Sequence, residues 1–88
     1  MSPLVVEFLT RPGCHLCDQA RPLVISAVES VGATLDEVDI DPSPELTRDY
    51  GLRIPVVLGP NDQVLAEGII KPRRLSRELR RLRKANNG

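Results

Sequence analysis

The feature that most constrains this chain is an apolar run that halts at a tight turn and continues as a helix with two cysteines at its start. Leu4 to Thr10 reads Leu-Val-Val-Glu-Phe-Leu-Thr and is closed by Arg11-Pro12-Gly13. Its apolar side chains fall on both parities, with Glu7 the exception, which predicts a central strand covered on both faces. Leu16, Ala20, Leu23, Val24, Ala27, Val28 and Val31 then recur at the three-to-four spacing of an amphipathic helix. Gly32 follows where a helix C′ residue belongs. The helix is therefore expected from about Cys14 to Val31. Pro22 lies inside it and removes the N–H that would bond to Asp18, so a kink is expected there.

The remaining elements are marked by local chemistry. Thr34 to Ile40 reads as a second strand, with Leu35, Val38 and Ile40 apolar among Asp36, Glu37 and Asp39. Two strands joined through a helix should lie parallel by a right-handed crossover. After the turn Asp41-Pro42-Ser43-Pro44, Ser43 can cap a short helix from Pro44 to Tyr50 that Gly51 ends. Pro55 to Leu58 is a third strand, Gly59-Pro60-Asn61-Asp62 a hairpin turn, and Gln63 to Glu67 a fourth strand. Leu75, Leu79 and Leu82 form a narrow apolar stripe on a last helix beginning near Pro72, with Asn86-Asn87-Gly88 expected to fray. The predicted order is β-α-β-α-β-β-α, an α/β fold with a four-stranded mixed sheet flanked by helices.

At 88 residues the chain has room for one core, so a single domain over 1–88 is expected, ordered from about 4 to 84. No apolar run reaches the roughly 18 residues of a membrane span. The start, Met1 to Glu7, lacks the basic segment and long apolar stretch of a secretion signal. Two cysteines are too few for a disulfide scaffold. These features predict a soluble, cytoplasmic monomer with no membrane partner. Aromatics are confined to Phe8 and Tyr50, too few for a base-stacking nucleic-acid module.

Cys14-His15-Leu16-Cys17 places a C-x-x-C pair where a strand runs into a helix. The thiolate is the nucleophile, and a free thiol with a pKa of about 8.5 is largely protonated at neutral pH. At a helix N-terminus, unpaired N–H groups and the macrodipole stabilise an anion. Cys14 occupies that end and Arg11 adds a cation, so its pKa is expected to be lowered. Cys17 lies one turn further in on the same face, within disulfide reach once the turn tightens. In this reading Cys14 attacks, Cys17 resolves, and the pair is a two-electron switch. Three ligands in one chain, two thiols and His15, are too few for a closed zinc site, so no metal and no cofactor is expected. A metal or iron–sulfur site shared between subunits is an alternative, and a docking adaptor with a vestigial site is another.

With these residues in view, the chain resembles the glutaredoxin-like branch of the thioredoxin superfamily. The likeness rests on Thr10-Arg11-Pro12-Gly13-Cys14-His15-Leu16-Cys17-Asp18, on Glu37 to Asp41, on Tyr50-Gly51 and on Arg53-Ile54-Pro55-Val56. It runs from about residue 4 to 82. The resemblance implies a thioredoxin fold and a thiol-disulfide oxidoreductase acting on protein or low-molecular-weight disulfides. It implies a cis peptide at Ile54-Pro55, with the backbone before the proline pairing with substrate, and close approach of substrate at Gly68. Pro22 matches the kink proline of thioredoxins. Reductants implied are glutathione, another small thiol, or a thioredoxin-reductase system. Glutathione-binding relatives usually follow the last strand with two glycines and an aspartate. Here Gly68-Ile69-Ile70-Lys71 stands instead, which predicts weak use of glutathione.

Several residues admit two readings. His15 can tune the thiolate or stand exposed without a partner. Arg11 can steady the thiolate, grip a substrate carboxylate, or be solvated. Glu7 can relay protons to Cys17 as a buried acid does in thioredoxins, or lie at an exposed end of the sheet. Charge is split along the chain: residues 1–70 hold four basic against eleven acidic side chains, and residues 71–88 hold eight basic against Glu78. The last helix can thus be a solvated face or dock an acidic partner; no aromatic interleaves its arginines, which disfavours nucleic acid.

Overall fold

A computed structural model describes residues 3–87. The elements follow in the order β1 (Val5–Thr10), α1 (His15–Ser30), β2 (Thr34–Asp39), α2 (Pro44–Tyr50), β3 (Val56–Leu58), a 3-10 turn (Pro60–Asp62), β4 (Val64–Glu67) and α3 (Pro72–Asn87). The four strands form one mixed sheet in the order β2-β1-β3-β4. β1 pairs parallel with β2 and antiparallel with β3, and β3 pairs antiparallel with β4. β1 is therefore the interior strand that its two-faced apolar pattern demands.

Period-two alternation divides the molecule into two layers. Leu4, Val6 and Phe8 point to the face covered by α1 and α3, where they pack with Ala20, Val24, Ala27, Val28, Leu75 and Leu79. Leu9 points to the opposite face, where it meets Ile40, Val56 and Leu58 under Leu46 and Tyr50 of α2. Glu7 shares the parity of Leu9 and is half-buried. It thus faces away from α1, on which Cys17 rides, and a direct proton relay between them does not fit this sheet.

α1 is capped at both ends by local sequence. Cys14 is its N-cap, and its sulfur accepts from the Cys17 N–H at 3.2 Å. At the other end Gly32 has φ +66°. The Gly32 N–H bonds the Glu29 carbonyl at 3.0 Å and the Ala33 N–H the Val28 carbonyl at 3.2 Å. That is a Schellman closure, and a side chain at Gly32 would be strained by its left-handed backbone. The helix continues through Pro22 to Ser30 without interruption. α2 starts as expected, with Pro44 at its first turn and the Ser43 hydroxyl accepting from the Leu46 N–H at 3.2 Å.

Three expectations shift at their edges. β2 ends at Asp39, β3 starts at Val56 and β4 at Val64, each one residue short, because strand pairing rather than propensity decides where a ladder stops. The β3–β4 connection contains a 3-10 turn with Asn61 and Asp62 both at φ 58°, and the pairing slips by one residue between Val57 and Leu58. α3 stays helical through Asn87, where fraying was expected, while Gly88 lies outside the described residues, as do Met1 and Ser2 of the proposed signal-free start. Among the described residues no helix is long and apolar enough to cross a membrane.

Candidate active site

The strand-to-helix junction delivers the cysteines. The Cys14 N–H donates to the Arg11 carbonyl at 3.3 Å, which closes the turn Arg11-Pro12-Gly13-Cys14, and the Asp18 N–H donates to the Cys14 carbonyl at 3.1 Å. Gly13 has φ +78°. Cys14 and Cys17 are joined as a disulfide with their Cα atoms 5.2 Å apart. Their surroundings differ. Cys17 is fully buried, whereas Cys14 is half-exposed. One of the orphan N–H groups of the helix start is already aimed at the Cys14 sulfur, which is the arrangement that favours negative charge there.

The other residues singled out in the sequence fall around this pair at different ranges. Ile54-Pro55 is a cis peptide, and Pro55 is buried. The Gly68 N–H donates to the Pro55 carbonyl at 2.8 Å, so the end of β4 is tied to the segment before β3. Gly68, at φ +70°, lines a cleft with Leu16 and Leu23 of α1, which brings it beside the opening turn of that helix. The Ile54 N–H is spent on the Tyr50 carbonyl at 3.1 Å. Of the Ile54 backbone groups expected to meet substrate, that leaves the carbonyl. Arg53, next to it, bonds Glu67 Oε2 at 2.7 Å and lies over the Tyr50 ring, 5.2 Å from its centroid.

Arg11 and His15 each have a polar partner other than the cysteines. Arg11 Nε donates to Asp41 Oδ1 at 2.8 Å, across to the loop after β2, so its charge is shared with a carboxylate rather than left for a thiolate. The His15 ring is exposed and bonds Gln19 Nε2 at 3.1 Å, one turn down the helix. Among the described residues no group of three His, Cys, Asp or Glu side chains gathers where it could hold a metal ion.

A polar cluster beside the cysteines was not anticipated. The Thr10 hydroxyl, itself buried, donates to Glu37 Oε2 at 3.0 Å. Arg21 grips the same carboxylate with two N–H groups at 2.8 and 2.9 Å and reaches Asp18 at 3.0 Å. These residues, with Arg11 and Pro12, line a cleft of about 430 Å³ at the ends of β1 and β2. The sequence held one signal, since Asp18 and Arg21 are three apart on a helix; Glu37 comes to the α1 face only through its parallel register opposite Phe8. The Arg21 hydrogen bonds are the main reason that the Glu37 carboxyl is held below its ordinary value of 4.5, with Thr10 adding to the effect and burial opposing it.

Because the folded state binds that proton less tightly than the unfolded one, the contribution to stability is complete above pH 4.5 and fades as pH falls through the lowered folded value. Glu37→Gln removes this dependence. In acid titrations followed by circular dichroism the original protein should therefore lose stability more steeply below that pH than the variant. The pair is about a third exposed on each side, so the difference should be small and should shrink with salt.

Comparison with known proteins bears on this site. A family model described as glutaredoxin-like domain (DUF836) matches residues 5–82, which includes both cysteines and the Ile54-Pro55 step. The chain belongs to this glutaredoxin-like family. A curated relative from Dictyostelium discoideum, the glutaredoxin-like protein YDR286C homolog, is 42% identical over 40 residues. That match takes in 41% of this chain and 37% of the relative, so the chain spans well under half of the relative's length. Among solved structures, protein XcR50 from X. campestris is 30% identical with a TM-score of 0.68, over 86% of this chain and 96% of that one. Protein Ne2328 from Nitrosomonas europaea is 25% identical with a TM-score of 0.73, over 89% and 93%. Thioredoxin 1 from Thermosipho africanus, at 11% identity and a TM-score of 0.69 over 96% and 99%, shares the fold. The protein is thus a glutaredoxin-like member with a thioredoxin fold, and its Cys14–Cys17 pair at disulfide distance fits redox chemistry.

Proposed function

We propose that this glutaredoxin-like protein is a thiol-disulfide oxidoreductase that reduces disulfides through Cys14 and Cys17. The observation that carries this reading is the asymmetry of the pair: a half-exposed sulfur at a helix N-cap with a backbone N–H aimed at it, backed by a fully buried one. The Cys14 thiolate attacks one sulfur of the substrate disulfide, and the other sulfur leaves as a thiolate. Cys17 then gives up its proton and attacks the Cys14 sulfur, releasing the second substrate thiol. Two electrons have passed to the substrate, and the protein carries the Cys14–Cys17 disulfide. An external thiol or dithiol returns it to the reduced form. In this reading the Ile54 carbonyl, Pro55 and Gly68 present the substrate backbone to Cys14. Arg11 and His15, engaged with Asp41 and Gln19, tune the site through its shape and field rather than by touching sulfur.

The reductant is expected to be a dithiol system rather than glutathione. Holding the glutamyl end of that tripeptide calls for charge-assisted bonds to its carboxylate and its amine. After Gly68 this chain offers Ile69, exposed, and Ile70, buried in the core, followed by Lys71, which repels an amine. One lost charge-assisted bond costs about 1.5–3 kcal/mol, roughly 10- to 150-fold in affinity. Turnover of a small disulfide should accordingly be slow with glutathione and glutathione reductase and faster with a thioredoxin-reductase system. No reduction with either, or with dithiothreitol, defeats the proposed function; efficient turnover at millimolar glutathione defeats only the choice of reductant.

A further inference from the structure

Three clefts, each sharing lining residues with the next, run from the start of α1 to the exposed side of α3, and their chemistry changes from one to the next. The first, about 190 Å³, lies beside the opening turn of α1 and has no charged residue in its lining. Leu16, Leu23 and Ile69 wall it, and they are 45%, 38% and 76% exposed. The second, about 130 Å³, shares Leu23 and adds Ser26, Ser30, Pro72 and Ser76. The third, about 360 Å³, shares Pro72 and Ser76 and is walled by Arg73, Arg77 and Arg80. Those arginines recur at three- and four-residue steps, so they form one stripe on α3. Among the described residues none of the three has a carboxylate within salt-bridge distance, and Glu78 is taken by Arg81.

We propose that this series of clefts is a docking groove for an extended segment of the disulfide partner, apolar beside its reacting cysteine and acidic several residues away. The proposal rests on the dithiol reading above and names the substrate class that the site prefers. Leu16 to Ser30 spans roughly 21 Å of helix, which an extended segment of about six residues covers. The acidic residues of the partner then fall opposite the arginine stripe while its cysteine stands at Cys14. Charge complementarity selects this occupant. A nucleic acid would meet uncharged apolar walls at the end nearest Cys14 and no aromatic platform, since Phe8 is buried and Tyr50 lies on the other face of the sheet. A second copy of this chain fits less well: six of its twelve acids are paired with its own arginines, and the others, Glu7, Glu29, Asp36, Asp39, Glu45 and Asp62, are scattered over β1, α1, β2, α2 and the β3–β4 turn rather than strung along one extended segment.

The test uses the full chain, reduced, with two synthetic peptides, each carrying one cysteine as its mixed disulfide with thionitrobenzoate. A leucine follows the cysteine in both, and the peptides differ only in a distal tail of three glutamates or three lysines. Attack by Cys14 expels coloured thionitrobenzoate, and Cys17 then releases the peptide thiol, so one protein dithiol is oxidised for each disulfide reduced. The glutamate-tailed peptide should react about tenfold faster at low salt, and the gap should close in high salt. The variant R77E/R80E, checked for retained helix by circular dichroism, should invert the preference. Equal rates for both tails, or faster reaction of the lysine tail, overturn the groove and leave the dithiol reading intact. Failure of both peptides and of free dithionitrobenzoate to react counts against the dithiol reading itself. Suppression by a single-stranded oligonucleotide at lower concentration than the acidic peptide needs would assign the stripe to nucleic acid. Dimerisation at low salt that R77E/R80E abolishes would assign it to a second copy. Either outcome overturns the proposal.

Discussion

Cys14→Ser protein should reduce disulfides no faster than the uncatalysed background, whereas Cys17→Ser protein should stall as a mixed disulfide with its substrate. The two outcomes differ because the two sulfurs have different environments. Cys14 caps α1, is half-exposed, and receives the Cys17 N–H; a hydroxyl in its place is too weak a nucleophile to open a disulfide. Cys17 is fully buried and can reach only a sulfur already attached at Cys14. Serine there cannot complete the second exchange, so the covalent intermediate accumulates unless an external thiol resolves it. Intact-mass spectrometry after mixing with a small disulfide reads both results. Brief treatment of the reduced protein with iodoacetamide gives an independent check, since Cys14 should alkylate first and at lower pH. Alkylation of Cys17 first reverses the assignment.

Leu79→Ala should be among the most destabilising single changes in α3, with Leu82→Ala well below it. Leu75 and Leu79 are fully buried against the core that holds Phe8 and Val24, whereas Leu82 only packs at its margin. Truncating a fully buried leucine costs about 2–5 kcal/mol, from lost apolar transfer and from the cavity left behind. In a domain of this size each kcal/mol moves the melting midpoint by roughly 4–8 °C, so Leu79→Ala should melt about 8–40 °C lower and the Leu82 variant should stay closer to the original. Thermal denaturation of the three proteins in the same buffer tests the ordering. An unchanged midpoint for Leu79→Ala would show that α3 is not docked on the sheet. Disulfide exchange per folded molecule should survive, because Leu79 lies on the helix that covers the core and not on the turn that holds the cysteines.

Much of the fold was legible because its signals are local. The Cys14 cap, the Gly32 closure, the Ser43-Pro44 start and the Leu75–Leu79 stripe are each set by a few neighbouring residues, and the structure has all of them. The C-x-x-C pair at the junction was legible for the same reason. What escaped were relations between distant residues. The partners of Arg11, Asp41, and of Arg21, Glu37, are 30 and 16 positions away, and several acids of similar spacing competed for them in the sequence. Glu7 was undecidable without the sheet: parity separates it from Phe8, but which parity faces α1 depends on the layers being assembled.

The sequence by itself determined the succession of strands and helices, the C-x-x-C pair at the head of α1 and the division of charge between body and tail, because periodicity, capping and residue type act over one or two turns. Only the tertiary structure decided that Glu7 turns from Cys17, that the Ile54 N–H is spent on the Tyr50 carbonyl, and that Thr10, Glu37, Arg21 and Asp18 form one cluster. It alone joined the apolar start of α1 to the arginines of α3 through clefts that share Leu23, Pro72 and Ser76. The physical reason is that a side chain's partner depends on which faces the packed layers leave opposite each other, and that follows from burying the whole core at once rather than from any one segment.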